Sequence, residues 1–212
     1  MKPSVAILAD GDFPVAAESF YELRHASVVV CCDGAAEALV RHGGEPDYIV
    51  GDLDSLPEEF VERYSSVIHR VTEQDDNDLT KAFHFALTLS PSRIVILGAT
   101  GGREDHTLGN IGHLVDFTRE ASCPVEMVTE TGRFFALLDS GTFSVLPGAQ
   151  VSLFAFDPTL VVRSEGLVYQ TSGVVFDALW KATLNEASSN RVTLTLNHPA
   201  GVIVYIASCP LR

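Results

Sequence analysis

The sequence predicts an α/β protein: an N-terminal, mostly parallel sheet sandwiched by helices, followed by a smaller all-β sandwich domain. Three observations carry this. Up to about residue 130, short β-rich runs alternate with helical patterns, and strand–helix alternation with short connections implies a parallel sheet covered on both faces. After Gly132 the helical periodicity stops, and short β-runs are divided by Gly, Pro, Asn and Asp. Finally, 46% hydrophobic and 20% charged residues are the composition of a folded globular chain. The 212 residues suffice for one large domain or two modest ones. The expected domains are 1–132 and 133–212, with no internal repeat or low-complexity linker between them.

In the first domain the β-runs are residues 5–8, 28–32, 48–50, 67–71, 94–97 and 125–128. The clearest helix covers residues 79–89, where Leu79, Ala82, Phe83, Ala86 and Leu87 repeat at i, i+3, i+4, i+7 and i+8. Weaker helical patterns cover 35–42, 58–63 and 108–119. In the second domain β-runs are expected at 134–138, 142–146, 150–156, 160–162, 174–176, 191–196 and 202–207. Their spacing and turn residues suit a sandwich or barrel-like unit.

Charge narrows the function. A net charge of −14 argues against nucleic-acid binding, which needs a basic stripe. An anionic substrate would be repelled unless metal and local basic groups overrode the field, whereas a cation would be attracted. The amino terminus is too short in its apolar run, and too soon acidic, to read as a signal peptide. No apolar run approaches the roughly 20 residues that span a bilayer. Cys31, Cys32, Cys123 and Cys209 form no C-x-x-C pair and no zinc spacing, so reduced, packed cysteines and a cytoplasmic location are expected.

Three acidic clusters each follow an apolar run of the first domain, where ligands bind at the carboxyl ends of parallel strands. Asp52 and Asp54 end the run 48–50. If the chain stays extended there, both carboxylates leave on one side, about 6–7 Å apart at Cα. That suits one magnesium bridged by phosphate oxygens, although Gly-Asp and Asp-Ser are also ordinary turn dipeptides. Asp75 and Asp78 lie at i, i+3 where the clearest helix begins. Asp76 or Asn77 there can cap the helix, and capping does not need four such residues in a row. Lys81, one of only three lysines, lies one turn on from Asp78 as a phosphate contact or a helix-surface ion pair.

The third cluster follows a glycine-rich stretch, Gly98-Ala99-Thr100-Gly101-Gly102-Arg103. Glycines let backbone N–H groups approach an anion, and Arg103 adds a fork-shaped phosphate donor. The stretch is neither a Walker A loop nor G-x-G-x-x-G. Asp105 and His106 are expected just before the helix that starts near Leu108, His106 as an anion donor or a structural residue. Asp33-Gly34 closes the second run, where an acid serves either ribose hydroxyls or a helix cap.

Together, Cys32-Asp33-Gly34-Ala35, Pro46 to Ser55, Gln74 to Ala82 and Gly101 to His106 resemble thiamine pyrophosphokinase in order and approximate spacing. So do Val151-Ser152-Leu153-Phe154, Gly166-Leu167-Val168-Tyr169 and Ser188-Ser189-Asn190 in the second domain. The resemblance implies pyrophosphoryl transfer from ATP to the thiamine hydroxyl, giving thiamine diphosphate and AMP. It implies a homodimer with a composite active site, thiamine lying between the α/β domain of one subunit and the β-domain of the other. It places magnesium and the ATP phosphates on Asp52, Asp54, Asp75 and Asp78, and completes the reacting centre with Lys81, Arg103 and Asp105. Asp33, Gly34 and His106 fall to the nucleotide, and Gln74, Tyr169, Ser189 and Asn190 to thiamine. The chain departs from the family at Ala35, at Asn77 and over 171–185, where Trp180 rivals Tyr169 as the stacking aromatic. Other readings are transfer to a different heterocyclic alcohol and a non-catalytic nucleotide or metal sensor of the same fold.

Overall fold

The computed structural model describes residues 2–73 and 77–208. Gln74, Asp75, Asp76 and Cys209 lie outside the described residues. The chain forms two compact units: one runs up to His113 and includes Ala121–Glu130, and the other comprises Leu114–Glu120 and the chain from Thr131 onward.

In the first unit, strands β1 (Ser4–Leu8), β2 (Val28–Cys32), β3 (Tyr48–Gly51), β4 (Ile68–Arg70), β5 (Arg93–Leu97) and β6 (Val125–Val128) pair in parallel. Their order is β6-β5-β1-β2-β3-β4, so the winding direction reverses between β5 and β1. Helices α1 (Ala17–His25), α2 (Ala35–Arg41), α3 (Glu58–Arg63), α4 (Asp78–Thr88) and α5 (Glu104–Glu120) make the connections. Strand side chains alternate between faces. Ala6, Leu8, Cys31, Ile49, Val95 and Leu97 cluster with Leu23 of α1 and Ala35 and Leu39 of α2. The intervening Ile7, Val30, Val50 and Ile96 are fully buried, and α4 crosses β1, β2 and β3.

The expected stripe of α4 buries Leu79, Ala82, Phe83 and Ala86, with the larger side chains each contributing about 1.5–3 kcal/mol. Ser90, left-handed at φ 52, and Pro91 stop the helix. The helix α1 has no sequence signature because its determinants are not local. It buries only Ser19 and Leu23, and no side chain near its start caps it. Instead the Glu130 carboxylate accepts from Val15 N–H (3.1 Å), Ala16 N–H (2.7 Å) and the Ser19 hydroxyl (2.6 Å).

The second unit is the expected sandwich. It contains β7 (Gly132–Leu137), β8 (Gly141–Ser144), β9 (Gln150–Phe154), β10 (Val162–Glu165), β11 (Asn185–Glu186), β12 (Arg191–Leu196) and β13 (Val202–Ala207). Antiparallel pairing gives β11-β9-β13-β7 and β10-β12-β8. Val151, Leu153, Val202 and Val204 of the first set meet Val162, Val192, Leu194 and Leu196 of the second in one core. The run 174–176 is no strand but one antiparallel bridge, Asp157 to Phe176, with Phe176 as a core anchor. Among the described residues no helix is long and apolar enough to cross a membrane.

Candidate active site

The carboxyl ends of β1, β2 and β3 and the start of α4 assemble the acidic residues. At the end of β2, Asp33 is left-handed at φ 31 and only 6% exposed. Gly51 of β3 lies against it: a Cβ there would sit 3.0 Å from Asp33 Cβ. Ser55 hydrogen-bonds the carboxylate, yet Asp33 Oδ1 is buried with no partner among the described residues. Burial raises the Asp33 pKa, Ser55 opposes this, and Asp78 and Asp52 push it further up.

The stretch after β3 does not stay extended. Leu53 turns to φ 72, and Asp54 N–H donates to Asp52 Oδ1 at 3.2 Å, so the two carboxylates are not arrayed as along a strand. A left-handed non-glycine residue costs about 1–3 kcal/mol. Burial of the Leu53 side chain, worth about 1.5–3 kcal/mol, offsets that cost.

At the start of α4, Asn77 is the cap, its side chain accepting from Thr80 N–H at 2.8 Å. Its amide also meets His113 Nε2 at 3.0 Å. Lys81 is only 7% exposed, and its ammonium pairs with Asp78 Oδ1 at 3.1 Å. A lysine so buried is not a solvated surface cation. Asp78 also acts electrostatically on Asp10, Cys32 and Asp33, which brings these groups to one place.

Asp10 and Asp12 belong to this edge although sequence reading gave them no role. Asp10-Gly11-Asp12 begins two residues past the end of β1, the same acid-after-strand pattern that marks the other clusters. Burial raises the Asp10 pKa, Arg41 pulls it back, and Asp78 and Glu37 push it up. Gly34 makes room here, since a Cβ on it would lie 2.9 Å from Asp10 Oδ2 and 3.2 Å from Ser55 Oγ.

The topological reversal between β1 and β5 would ordinarily open a ligand crevice. Here its floor is closed. Ala9, Gly11 and Asp12 N–H donate to Leu97, Gly98 and Thr100 O at 2.8, 2.7 and 2.9 Å. A Cβ on Gly11 would lie 2.5 Å from both Gly98 O and Thr100 O. The glycine-rich stretch therefore serves first to pack against the β1 loop.

Helix α5 begins at Glu104, earlier than expected, so Asp105 and His106 stand in its first turn, where acidic side chains suit the dipole. Arg103 grips Asp105 through two hydrogen bonds of 3.1 and 2.6 Å, holding its carboxyl down at about 2. His106 N–H also donates to Asp105. Among the described residues no hydrogen bond or ion pair joins this exposed pair to Lys81 or Asp78.

In the second unit, Tyr169 and Trp180 are 67% and 72% exposed. The Ser189 hydroxyl is taken up by the backbone of Arg191, donating to its O at 2.6 Å, and Asn190 O accepts from Val145 N–H at 3.1 Å.

Residues 21–127 match the sequence family described as thiamin pyrophosphokinase, catalytic domain, and residues 132–205 match thiamin pyrophosphokinase, substrate-binding domain. The chain belongs to the thiamin pyrophosphokinase family. It is similar to thiamine pyrophosphokinase 1 of Oryza sativa subsp. japonica, at 34% identity over 114 residues, which is 42% of this chain and 43% of that protein. It thus matches less than half the length of that relative. Thiamin pyrophosphokinase 1 of Caenorhabditis elegans is 26% identical over 181 residues, 78% of this chain and 73% of that protein. The crystal structure of thiamine pyrophosphokinase from Bacillus subtilis matches with a TM-score of 0.76, covering 98% of this chain and all of that one at 21% identity. At that identity the likeness speaks for the fold.

Proposed function

We propose that the protein transfers the pyrophosphoryl group of ATP to the hydroxyl of thiamine, giving thiamine diphosphate and AMP. Family membership supports this, and one structural observation carries it: at the carboxyl edge of a parallel sheet, the buried Lys81 pairs with Asp78, and Asp78 in turn acts with Asp52 on the buried Asp33. Buried charges of one sign are costly unless an opposite charge joins them.

Magnesium fits these residues. Asp33 Oδ1 is a buried hard oxygen without a protein donor, and two further carboxylates, Asp78 and Asp52, act on Asp33 alongside Ser55. Among the described residues no three His, Cys, Asp or Glu groups converge into a metal cage. Magnesium needs none, because it takes one or two carboxylates and fills its sphere with phosphate oxygens and water. Asp52, Asp54 and Asp78, with Asp75 outside the described residues, would hold it. When bound, it would neutralise phosphate charge and stabilise the leaving α-phosphate.

The chain's own residues do the rest. The thiamine hydroxyl attacks the β-phosphorus as the bond to the bridging oxygen of the α-phosphate breaks, so catalysis is mainly positioning and charge stabilisation. Lys81 stands fixed for a phosphate oxygen, and Arg103 must exchange part of its grip on Asp105 to reach one. Asp105, held near 2 by Arg103, is a poor acceptor for the hydroxyl proton. Asp33, Gly34 and His106 border the nucleotide. Gln74, Tyr169, Ser189 and Asn190 are assigned to thiamine, a cation that suits an aromatic face. In this reading the active site is composite in a cytoplasmic homodimer, and the exposure of Tyr169 and Trp180 supports a partner for that surface.

The test is incubation with ATP, magnesium and thiamine. Thiamine diphosphate and AMP should form in equal amounts. Release of ADP, or no product with thiamine, refutes the reading.

A further inference from the structure

We infer that Asn185 is a positioning residue that fixes Tyr169 for the acceptor substrate. The inference rests on the reading of Tyr169 as an aromatic that faces thiamine. Around these residues, two stretches run antiparallel: Val168 N–H donates to Glu186 O and Ser188 N–H to Gly166 O, both at 2.8 Å. Leu167 and Ala187 form a bridge between them. At Tyr169 a side chain takes over from the backbone. Asn185 Oδ1 accepts from Tyr169 N–H at 3.0 Å, and Asn185 Nδ2 donates to Tyr169 O at 2.7 Å. The same Oδ1 accepts from Glu186 N–H at 2.8 Å.

Asn185 is only 7% exposed, and its own backbone pairs with Val151 of β9. It therefore ties both polar backbone groups of Tyr169 to a core strand while the ring stays in solvent. A short carboxamide suits this task, because it carries one acceptor and one donor group like a peptide unit. An ionised carboxylate lacks the donor. An alanine would leave the N–H and C=O of Tyr169 without these partners. At Trp180, among the described residues, the contacts are on the carbonyl alone, which accepts from the Thr183 hydroxyl at 2.8 Å and from Thr183 N–H at 3.4 Å. An aromatic fixed before binding loses less freedom on binding, so the clamp acts on affinity for the acceptor and not on phosphoryl chemistry.

The experiment is a double-mutant cycle on the full chain with ATP, magnesium and thiamine. Asn185→Ala should raise the thiamine KM about tenfold, the effect of losing one or two hydrogen bonds, and leave kcat and the ATP KM within about twofold. Asn185→Gln, which keeps both groups, should recover part of that loss. Asn185→Ala combined with Tyr169→Ala should be no worse than Tyr169→Ala alone. Additive effects on the thiamine KM, or equal changes in the ATP KM and kcat, would overturn the clamp. If Tyr169→Ala leaves the thiamine KM unchanged, the placement of Tyr169 fails and the inference with it. Absence of thiamine diphosphate from the unsubstituted protein is a separate result, against the proposed reaction. Should Asn185→Ala not fold, the same cycle with Asn185→Gln, read by thiamine quenching of the single tryptophan, decides the question.

Discussion

The sheet edge of the first unit and the exposed rings of the second present different chemistry to a ligand. At the carboxyl edge of the parallel sheet the unfavourable features are polar: left-handed Asp33 and Leu53, an unpartnered Asp33 Oδ1, and carboxylates that raise one another's pKa. In the β-sandwich Asn185 makes three side-chain hydrogen bonds, and the prominent unfavourable feature is apolar surface at Tyr169, Trp180 and the left-handed Leu184. Strain and missing partners gather where a ligand completes the structure. An edge short of positive charge suits a metal–phosphate ligand, and a rigid surface with exposed rings suits a flat cation.

The largest expected effect tests the polar side. Asp54→Asn should lower turnover on the order of 100-fold or more, by analogy with removal of a group aimed at transition-state charge. Asp54 is exposed and makes no packing contact in the core, so its thermal stability should change by less than about 0.5 kcal/mol. A variant with unchanged melting and near-normal turnover at saturating magnesium would reduce the motif to an ordinary turn.

A smaller effect tests the apolar side. Tyr169→Ala should raise the thiamine KM by roughly tenfold, the scale of a cation–π contact in a partly desolvated site. Trp180→Ala should raise it less, because Trp180 lacks the paired backbone clamp that Asn185 gives Tyr169. The two rings are similarly exposed, so the comparison isolates fixing from contact area. The opposite ranking in steady-state KM values would make Trp180 the acceptor-facing ring.

Legibility in the sequence follows from how local the determinants are. The parallel strands and α4 are local: continuous β-branched runs, a 3.6-residue apolar stripe, and a cap at Asn77 that holds its first turn. Helix α1 was not legible, because its start is satisfied by Glu130, more than a hundred residues away. Strand β11 is two residues long and exists through pairing with β9. The acids after β2 and β3 could be read as a group because each ends an apolar run. That Asp33 is buried and Asp105 is exposed and gripped by Arg103 depends on tertiary placement, which residue type does not report. Asp10 and Asp12 were readable by the same rule as the others.

The smallest effect is on stability, at Asp33. Its pKa in the folded protein is raised above the usual 3.8, first by burial and then by Asp78 and Asp52 against the pull of Ser55. The folded state thus binds more protons than the unfolded state just above that value, and stability falls as pH rises through this window. At neutral pH the carboxylate is a liability that Asp33→Asn removes. The variant should melt about 2–4 °C higher if the relief is about 1 kcal/mol, with the advantage fading as pH drops below the usual carboxylate range. Magnesium supplies the discriminating arm. Binding to the folded state stabilises by mass action, so magnesium with ATP should raise the melting temperature of the unsubstituted protein more than that of the variant. Equal shifts would separate Asp33 from the cation site, and a lower melting temperature for Asp33→Asn without ligand would show that Ser55 and the left-handed turn depend on the charge itself.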